Sequence, residues 1–286
     1  MIDLKNNVNA RRNGQTAVKI NKLLHDDGAR PNPAADTNES ISNFRTFQYV
    51  AEQVLREQDS SMALTLTNET VTMFRALPLA QPEIEKIRSE IQVLHQRHQG
   101  ALSLGFASAH CGEGTSTILA NLVLAFKNTN LRVLVVDLNM RHANLASLFS
   151  LPDGPGLIDL IYARRRFADV IRVIKPNKIF LLPFGVNARN APFNLENAVR
   201  AINKAGKQSK HFDLLLFDFP PLNEVPQGLF VARQIDGLIQ IVQAERTRVE
   251  VVRSLKNRLD HLGIPLFGVV LNQRRFYIPQ VLYESL

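Results

Sequence analysis

The sequence has a single cysteine, Cys111, among its 286 residues, so no disulfide bond can form within the chain. It has no apolar run near the roughly 18 residues that a membrane-spanning helix needs. The amino terminus also lacks the apolar stretch of a signal peptide. These absences favour a reducing compartment. We expect the protein in the cytoplasm, where contact with the inner face of the inner membrane would come through a partner.

The chain carries a formal net charge of +8, which favours acidic partners in general. The basic residues are nevertheless spread along the sequence, and the only run of three is Arg164, Arg165 and Arg166. Scattered basic residues are more typical of a solvated surface than of a dedicated nucleic-acid interface. We therefore do not expect nucleic acid as a partner.

The amino-terminal third differs in composition from the rest of the sequence. Residues 1–38 are polar, which predicts a disordered tail with at most a short helix around residues 18–24. Apolar residues at helical spacing then predict a helical segment over residues 39–95. Its predicted helices cover residues 41–57, residues 66–76 and a stretch that begins after Pro82.

Residues 96–275 show short apolar runs that alternate with helical patterns. This alternation predicts an α/β domain whose mostly parallel sheet is covered by helices on both faces. One predicted helix begins at Thr247, with capping-box spacing to Glu250. The remaining residues, 276–286, form a short tail. The predicted strands cover residues 101–107, 131–136, 179–182, 214–217, 237–242 and 266–271.

The segment from Ser108 to Thr117 reads S-A-H-C-G-E-G-T-S-T and joins a predicted strand to a predicted helix. A phosphate-binding loop needs this context, because glycines let backbone N–H groups turn towards phosphates and the helix N-terminus adds partial positive charge. The hydroxyl of Ser116 is placed to bind Mg²⁺. The standard pattern has glycine and lysine where this chain has Ala109 and Thr115. On these residues alone, an ordinary strand-to-helix turn remains the alternative.

Two further predicted strands end in aspartate. One apolar run ends at Asp137, and another ends at Asp218, which is followed by Phe219, Pro220 and Pro221. Because the carboxyl ends of parallel strands meet at one edge of a sheet, both carboxylates are expected near the loop. There they could hold Mg²⁺ directly or through water.

In combination, these segments resemble the bacterial tyrosine kinase family of capsule and exopolysaccharide synthesis, which belongs with the MinD/ParA-type deviant P-loop ATPases. The resemblance extends over residues 100–272. It rests on a P-G-E-G-K-S-T loop, a D-x-D-x-R motif and a D-x-P-P motif. In this chain the motifs correspond to Cys111 through Thr117, then Asp137 with Asn139 and Arg141, then Asp218 with Pro220 and Pro221.

The resemblance implies a site for ATP and Mg²⁺. It assigns the metal to Ser116, Asp137 and Asp218, with the two aspartates as the catalytic residues. Tyr277 and Tyr283 stand where the family carries its tyrosine cluster, which makes them the phosphorylation candidates. The residues that the resemblance assigns to the nucleotide are Gly112, Glu113, Gly114, Thr115, Ser116, Thr117, Arg141 and Asn272.

Departures from the family pattern bear on activity. Thr115 replaces the loop lysine, and Asn139 replaces the second aspartate of D-x-D-x-R. A lysine about 4 Å from a phosphate oxygen is worth about 4 kcal/mol at an effective dielectric near 20, so its loss slows phosphoryl transfer on the order of 10³-fold. We therefore expect weak or lost binding of ATP and Mg²⁺. The family's E-x-x-R-x-x-R oligomer motif is reduced to Glu85, Arg88 and Ile91, which favours a monomer or small oligomer over a ring.

The leading expectation is a catalytically impaired relative of the exopolysaccharide tyrosine autokinases. It would act as a cytoplasmic accessory or regulator of a membrane polysaccharide co-polymerase and export complex. One alternative is an active autokinase that phosphorylates Tyr277 and Tyr283. Another is a positioning ATPase of the MinD/ParA type.

Overall fold

An eight-stranded sheet organises the part of the chain that the computed structural model describes. The described residues are 18–20, 81–162, 165–174, 178–185, 195–209 and 211–273. The strands are β1 (Val18–Ile20), β2 (Leu102–Ser108), β3 (Val133–Asp137), β4 (Arg172–Ile174), β5 (Ile179–Leu182), β6 (Leu214–Asp218), β7 (Gly237–Gln243) and β8 (Leu266–Asn272).

Eight α-helices are described in these ranges, most of them between successive strands. They are α1 (Gln81–Arg97), α2 (Thr115–Ala125), α3 (Leu145–Leu148), α4 (Leu157–Tyr162), α5 (Phe167–Val170), α6 (Leu195–Ser209), α7 (Gln227–Ala232) and α8 (Val249–His261). A 3₁₀ turn (Phe126–Asn128) extends α2.

The strand order is β1-β8-β7-β2-β6-β3-β5-β4, and the six inner strands run parallel. All six were predicted from their apolar runs, so the α/β class with a mostly parallel sheet is confirmed. Both outermost strands pair antiparallel with their neighbours. The sequence did not predict β4, because three residues are too few to show a strand pattern.

The strand β1 corrects one expectation. The sequence predicted a short helix around residues 18–24, but Val18–Ile20 pair antiparallel with β8. The edge of β8 offers unpaired backbone donors and acceptors, and β-branched valine and isoleucine suit an extended partner. A sheet edge elsewhere in the chain therefore decides the local conformation.

Apolar side chains fill both faces of the sheet. On one face, Ile84, Ile87 and Ile91 of α1 pack with α2, so the helix predicted after Pro82 is confirmed and lies against the α/β core. Ile91, the third position of the reduced oligomer motif, is completely buried there, while Arg88 forms an ion pair with Glu85 at 2.6 Å. The opposite face is covered by α4 to α8.

Several predictions lie outside the described residues. They are the rest of the 1–38 tail, the helices over 41–57 and 66–76, Arg164, and the 276–286 tail with Tyr277 and Tyr283. Within the described ranges, no helix combines the length and the apolarity needed to cross a bilayer.

Candidate functional site

The sheet brings the three predicted motifs together. The strands β2, β6 and β3 are direct neighbours, and their carboxyl ends lead into the glycine loop, Asp218 and Asp137 respectively. The parallel register pairs Asp137 with Asp218, so the two carboxylates begin from adjacent backbone positions. The strand order thus brings the three predicted segments to one edge of the sheet.

The loop between β2 and α2 depends on two glycines with left-handed backbone angles. Gly112 has φ 84°, and Gly114, which caps α2, has φ 90°. A Cβ at Gly114 would also collide with the side-chain amide of Asn272 at the end of β8. A Cβ at Gly112 would meet no atom within 4 Å. Position 114 therefore requires glycine both for its positive φ and for lack of space, whereas position 112 requires it for its positive φ alone.

A buried carboxylate holds the loop from behind. Glu113, which is 3% exposed, accepts hydrogen bonds from the backbone N–H groups of Ala109 at 2.9 Å and His110 at 3.3 Å. The hydroxyl of Thr247 donates to the other oxygen of the same carboxylate. The Asn272 amide donates to the Glu113 carbonyl at 2.9 Å. Glu113 therefore connects the loop to the segment after β7 and to the last residue of β8.

The role of Thr247 differs from the predicted one. The capping-box spacing predicted that Thr247 begins a helix, but α8 begins at Val249 and its cap residue, Arg248, makes no side-chain cap hydrogen bond. The hydroxyl is used by Glu113 instead. A buried carboxylate needs hydrogen-bond donors more than a solvated helix end does, which explains the difference.

The two strand-end carboxylates are buried. Asp137, 1% exposed, accepts from the N–H of Asn139 at 2.9 Å and from that of Leu145 at 3.4 Å. Asp218, fully buried, accepts from the Ser116 hydroxyl at 2.6 Å through Oδ2. Among the described residues, Oδ1 of Asp218 has no hydrogen-bond partner. An unpaired buried carboxylate oxygen is a ligand ready for a cation.

Burial governs the protonation of this pair. It raises the pKa of Asp137 to about 7, against the opposing effect of the Asn139 and Leu145 hydrogen bonds. Burial, followed by the charge of Asp137, raises the pKa of Asp218 well above its ordinary value, while the Ser116 hydrogen bond lowers it. A divalent cation between the carboxylates would favour their charged forms and reverse both shifts.

A cavity of about 320 Å³ lies against the loop. Thr115, at the position of the family lysine, lines it and is only 8% exposed, and its Oγ1 has no hydrogen-bond partner in the described part of the chain. Asn139 also lines the cavity and accepts from the N–H of His142 at 3.1 Å. The remaining lining residues are Ser108, Cys111, Gly112, Glu113, Gly114, Ser116, Thr117, His142, Asn144, Phe219, Pro221 and Gln273.

Arg141 lies apart from this cavity wall. It lines a second cavity of about 480 Å³ that includes Asp137, Gly154 and Phe184. Its Nη1 lies 3.6 Å from Oε2 of Glu224. The structure therefore brings together the predicted loop residues, Asp137 and Asp218, but pairs Arg141 with a carboxylate. Asn272 contacts the loop at Glu113, and the nucleotide role assigned to it stays a prediction.

The sequence did not reveal two contacts that shape the loop. Glu224 accepts a hydrogen bond from the loop backbone, and the Thr247 side chain donates one to Glu113. Glu224 accepts from the N–H of Cys111 at 2.7 Å. It follows Pro221 by three positions, but no pattern indicates which way a residue after D-x-P-P turns. These contacts join segments more than a hundred residues apart, so they arise only from the fold.

A glycine loop after a parallel strand, with carboxylates at the ends of two neighbouring strands, defines a P-loop NTPase-like domain of the MinD/ParA type. The septum site-determining protein MinD of Pyrococcus horikoshii, solved with Mg-ADP, shares this fold, with a TM-score of 0.52 and 20% identity over 65% of this chain and 77% of that chain. The chain belongs to the family described as cellulose biosynthesis protein BcsQ, whose model matches residues 102–269.

Several relatives carry tyrosine kinase names, which confirms the resemblance predicted from the motifs. Tyrosine-protein kinase CpsD of Streptococcus agalactiae is 26% identical over 189 residues, 65% of this chain and 79% of that protein. Tyrosine-protein kinase YwqD of Bacillus subtilis is 22% identical over 210 residues, 73% of this chain and 88% of that protein. The kinase domain of Escherichia coli tyrosine kinase ETK shares the fold, with a TM-score of 0.61 and 16% identity over 78% of this chain and 89% of that domain.

Proposed function

We propose that this protein is an accessory subunit of a bacterial machinery that makes and exports an exopolysaccharide, and that its nucleotide site transfers phosphoryl groups poorly. The family description supports a role in polysaccharide synthesis. The kinase names of the relatives support descent from a phosphoryl-transfer site.

The proposal that phosphoryl transfer is impaired depends mainly on one observation. Thr115, which is 8% exposed, stands at the family lysine position, and its short neutral side chain cannot extend a charge to a phosphate. Other parts of the constellation are present, although Asn139 replaces the second aspartate of D-x-D-x-R. Gly112 and Gly114 have left-handed backbone angles, and Asp137 and Asp218 lie in register at the ends of neighbouring strands. Phosphoryl transfer depends on charge stabilisation in the transition state, whereas binding also uses backbone donors. The loop thus favours binding over transfer.

The residues fit Mg-ATP. Backbone N–H groups at the start of α2 would bind the phosphates, and the open space at Gly112 leaves room for them. Ser116 and Asp218, already joined at 2.6 Å, would hold Mg²⁺ with the unpaired Oδ1 of Asp218, and Asp137 lies in register beside them. When bound, Mg-ATP supplies a transferable phosphoryl group. Asn139 presents an amide there, which cannot accept a proton from an attacking hydroxyl as a carboxylate can.

The partner that this function requires is a membrane polysaccharide co-polymerase or export protein, with the chain on the cytoplasmic face of the membrane. We expect at most a small oligomer. The third position of the family's E-x-x-R-x-x-R oligomer motif, on α1, is the buried Ile91 in place of an arginine. No step of the proposal requires nucleic acid.

An active tyrosine autokinase is the second candidate, and the extent of the match to CpsD, 79% of that protein, favours it. This candidate requires phosphate on Tyr277 or Tyr283. A positioning ATPase of the MinD/ParA type is the third, supported by the fold shared with MinD. It requires hydrolysis that drives dissociation from a surface.

Export of the polymer in the producing bacterium tests the proposal. We expect Gly114→Ala to reduce export, because it strains a φ of 90° and collides with Asn272. Gly263→Ala is the matched control, since Gly263 also has positive φ (65°) but open space and lies beyond α8 at the other edge of the sheet. Changing Tyr277 and Tyr283 together to phenylalanine should leave export unchanged. Loss of export in that double variant would instead support the autokinase.

A further inference from the structure

The carboxylate of Glu224 contacts two groups that a nucleotide phosphate would also use. Its Oε1 accepts from the N–H of Cys111 in the loop at 2.7 Å, and its Oε2 lies 3.6 Å from Nη1 of Arg141. A carboxylate shares its charge and its acceptor geometry with a phosphate oxygen. Glu224 thus joins the loop to Arg141, the arginine of the D-x-D-x-R motif.

The backbone around Glu224 is attached to the base of the loop, whereas its side chain is partly exposed to solvent. The N–H of Leu222 donates to the Ser108 carbonyl at 2.9 Å, and the N–H of Asn223 donates to the Ala109 carbonyl at 3.2 Å, so the segment is attached to the base of the loop. The Glu224 side chain is 32% exposed, and that of Arg141 is 54% exposed. Both side chains can therefore turn into solvent without disturbing the fold.

We propose that Glu224 is a latch on the proposed nucleotide site: it occupies the Cys111 N–H and holds Arg141, and a nucleotide's phosphates must displace it. Release of the latch frees Arg141 to approach the phosphates. Glu224 is in this sense a positioning residue that acts through Arg141. The inference rests on the proposed function, because it supposes that the loop receives a nucleotide.

Calorimetric titration of the full chain with Mg-ATP tests the latch. The variants are Glu224→Gln, which keeps the size of the side chain and removes its charge, Arg141→Ala, and the combination of both. Asp260→Asn is the matched control, because it also removes one negative charge from a carboxylate in an ion pair, here with Lys256, and Asp260 does not line the cavity at the loop. Thermal unfolding of each variant checks that the fold is retained.

We expect Glu224→Gln to tighten Mg-ATP binding by about threefold to tenfold, the range that a charge-assisted hydrogen bond and a half-exposed ion pair allow. In the Arg141→Ala background the gain should fall below about twofold, because the latch has lost one of its two groups. Asp260→Asn should leave affinity unchanged.

Two results would overturn the latch while leaving the proposed function intact. If Glu224→Gln increased Mg-ATP affinity equally with and without Arg141, Glu224 would only repel the phosphates. If the substitution did not increase affinity at all, the role of Glu224 would be structural. If neither these variants nor Thr115→Lys bound Mg-ATP, the latch and the proposed function would both fail.

Discussion

Replacement of Thr115 by lysine restores the group on whose absence the proposed function depends. Thr115 begins α2 and lines the cavity of about 320 Å³ beside the loop. Its Oγ1 makes no hydrogen bond to any described residue, so the substitution breaks none there. Because Thr115 lines this cavity, the cavity offers room for the longer side chain. Its ammonium group would then lie where phosphates are expected.

The expected gain follows from charge and distance. An ammonium about 4 Å from a phosphate oxygen contributes about 4 kcal/mol at an effective dielectric near 20. The buried carboxylates of Asp137 and Asp218 compete for the same ammonium group, so only part of this energy reaches the nucleotide. We expect Thr115→Lys to tighten Mg-ATP binding by at least about tenfold, equivalent to about 1.4 kcal/mol. Transition-state charge should raise transfer rates further than affinity.

Calorimetry with Mg-ATP, performed on the wild type, Thr115→Lys and Thr115→Gln, measures this gain. Glutamine supplies a long polar side chain without charge, so it separates the effect of charge from that of filling the cavity. Only lysine should tighten binding. Equal affinities for the two variants would refute the electrostatic argument, and micromolar or tighter binding by the wild type would refute the view that the loop is impaired.

Three further outcomes are expected. Burial raises the pKa of Asp137 to about 7, so the metal-free folded chain keeps a proton there that the unfolded chain loses near pH 4. The free energy of unfolding of the folded chain should therefore fall as the pH rises towards 7. Thermal unfolding measured from about pH 5 to about pH 8 should show this decrease in the wild type and a weaker decrease in Asp137→Asn. Equal slopes would contradict the assignment of the raised pKa to Asp137. Thr247→Val removes the hydroxyl that donates to Oε1 of Glu113, while the Ala109 and His110 N–H groups still donate to Oε2. The loss should cost about 1–3 kcal/mol in denaturant unfolding, and an unchanged midpoint would contradict this. Deletion of residues 1–80 should abolish polymer export and leave a folded domain. Deletion of residues 1–38, which removes only the three-residue edge strand β1 from the sheet, should leave both intact. Normal export after the longer deletion would contradict the role as an accessory subunit.

The inner strands and the loop could be predicted because their signals are local. The apolar runs ending at Asp137 and Asp218 indicate buried parallel strands, and parallel strands place their carboxyl ends at one edge. The short edge strands carried no such signal. Val18–Ile20 became a strand through pairing with β8, a partner some 250 residues away in the chain, and residue patterns within a short window contain no information about it.

The contacts behind the loop could not be predicted for a related reason. The spacing from Thr247 to Glu250 is the same whether the hydroxyl caps its own helix or serves a distant carboxylate. Burial of Glu113 decides between these uses, and burial is a property of the fold. The pairing of Arg141 with Glu224 likewise depends on how the segments after β3 and β6 approach each other.

The most direct test of the central claim follows ATP and protein-bound phosphate together. Purified full chain is incubated with Mg-ATP, the nucleotide is analysed for hydrolysis, and mass spectrometry searches for phosphotyrosine at Tyr277 and Tyr283. The proposed function predicts that bound ATP remains largely intact and that neither tyrosine gains phosphate. Phosphotyrosine at either position in the wild type, lost in Asp137→Asn, would contradict it and establish an active kinase.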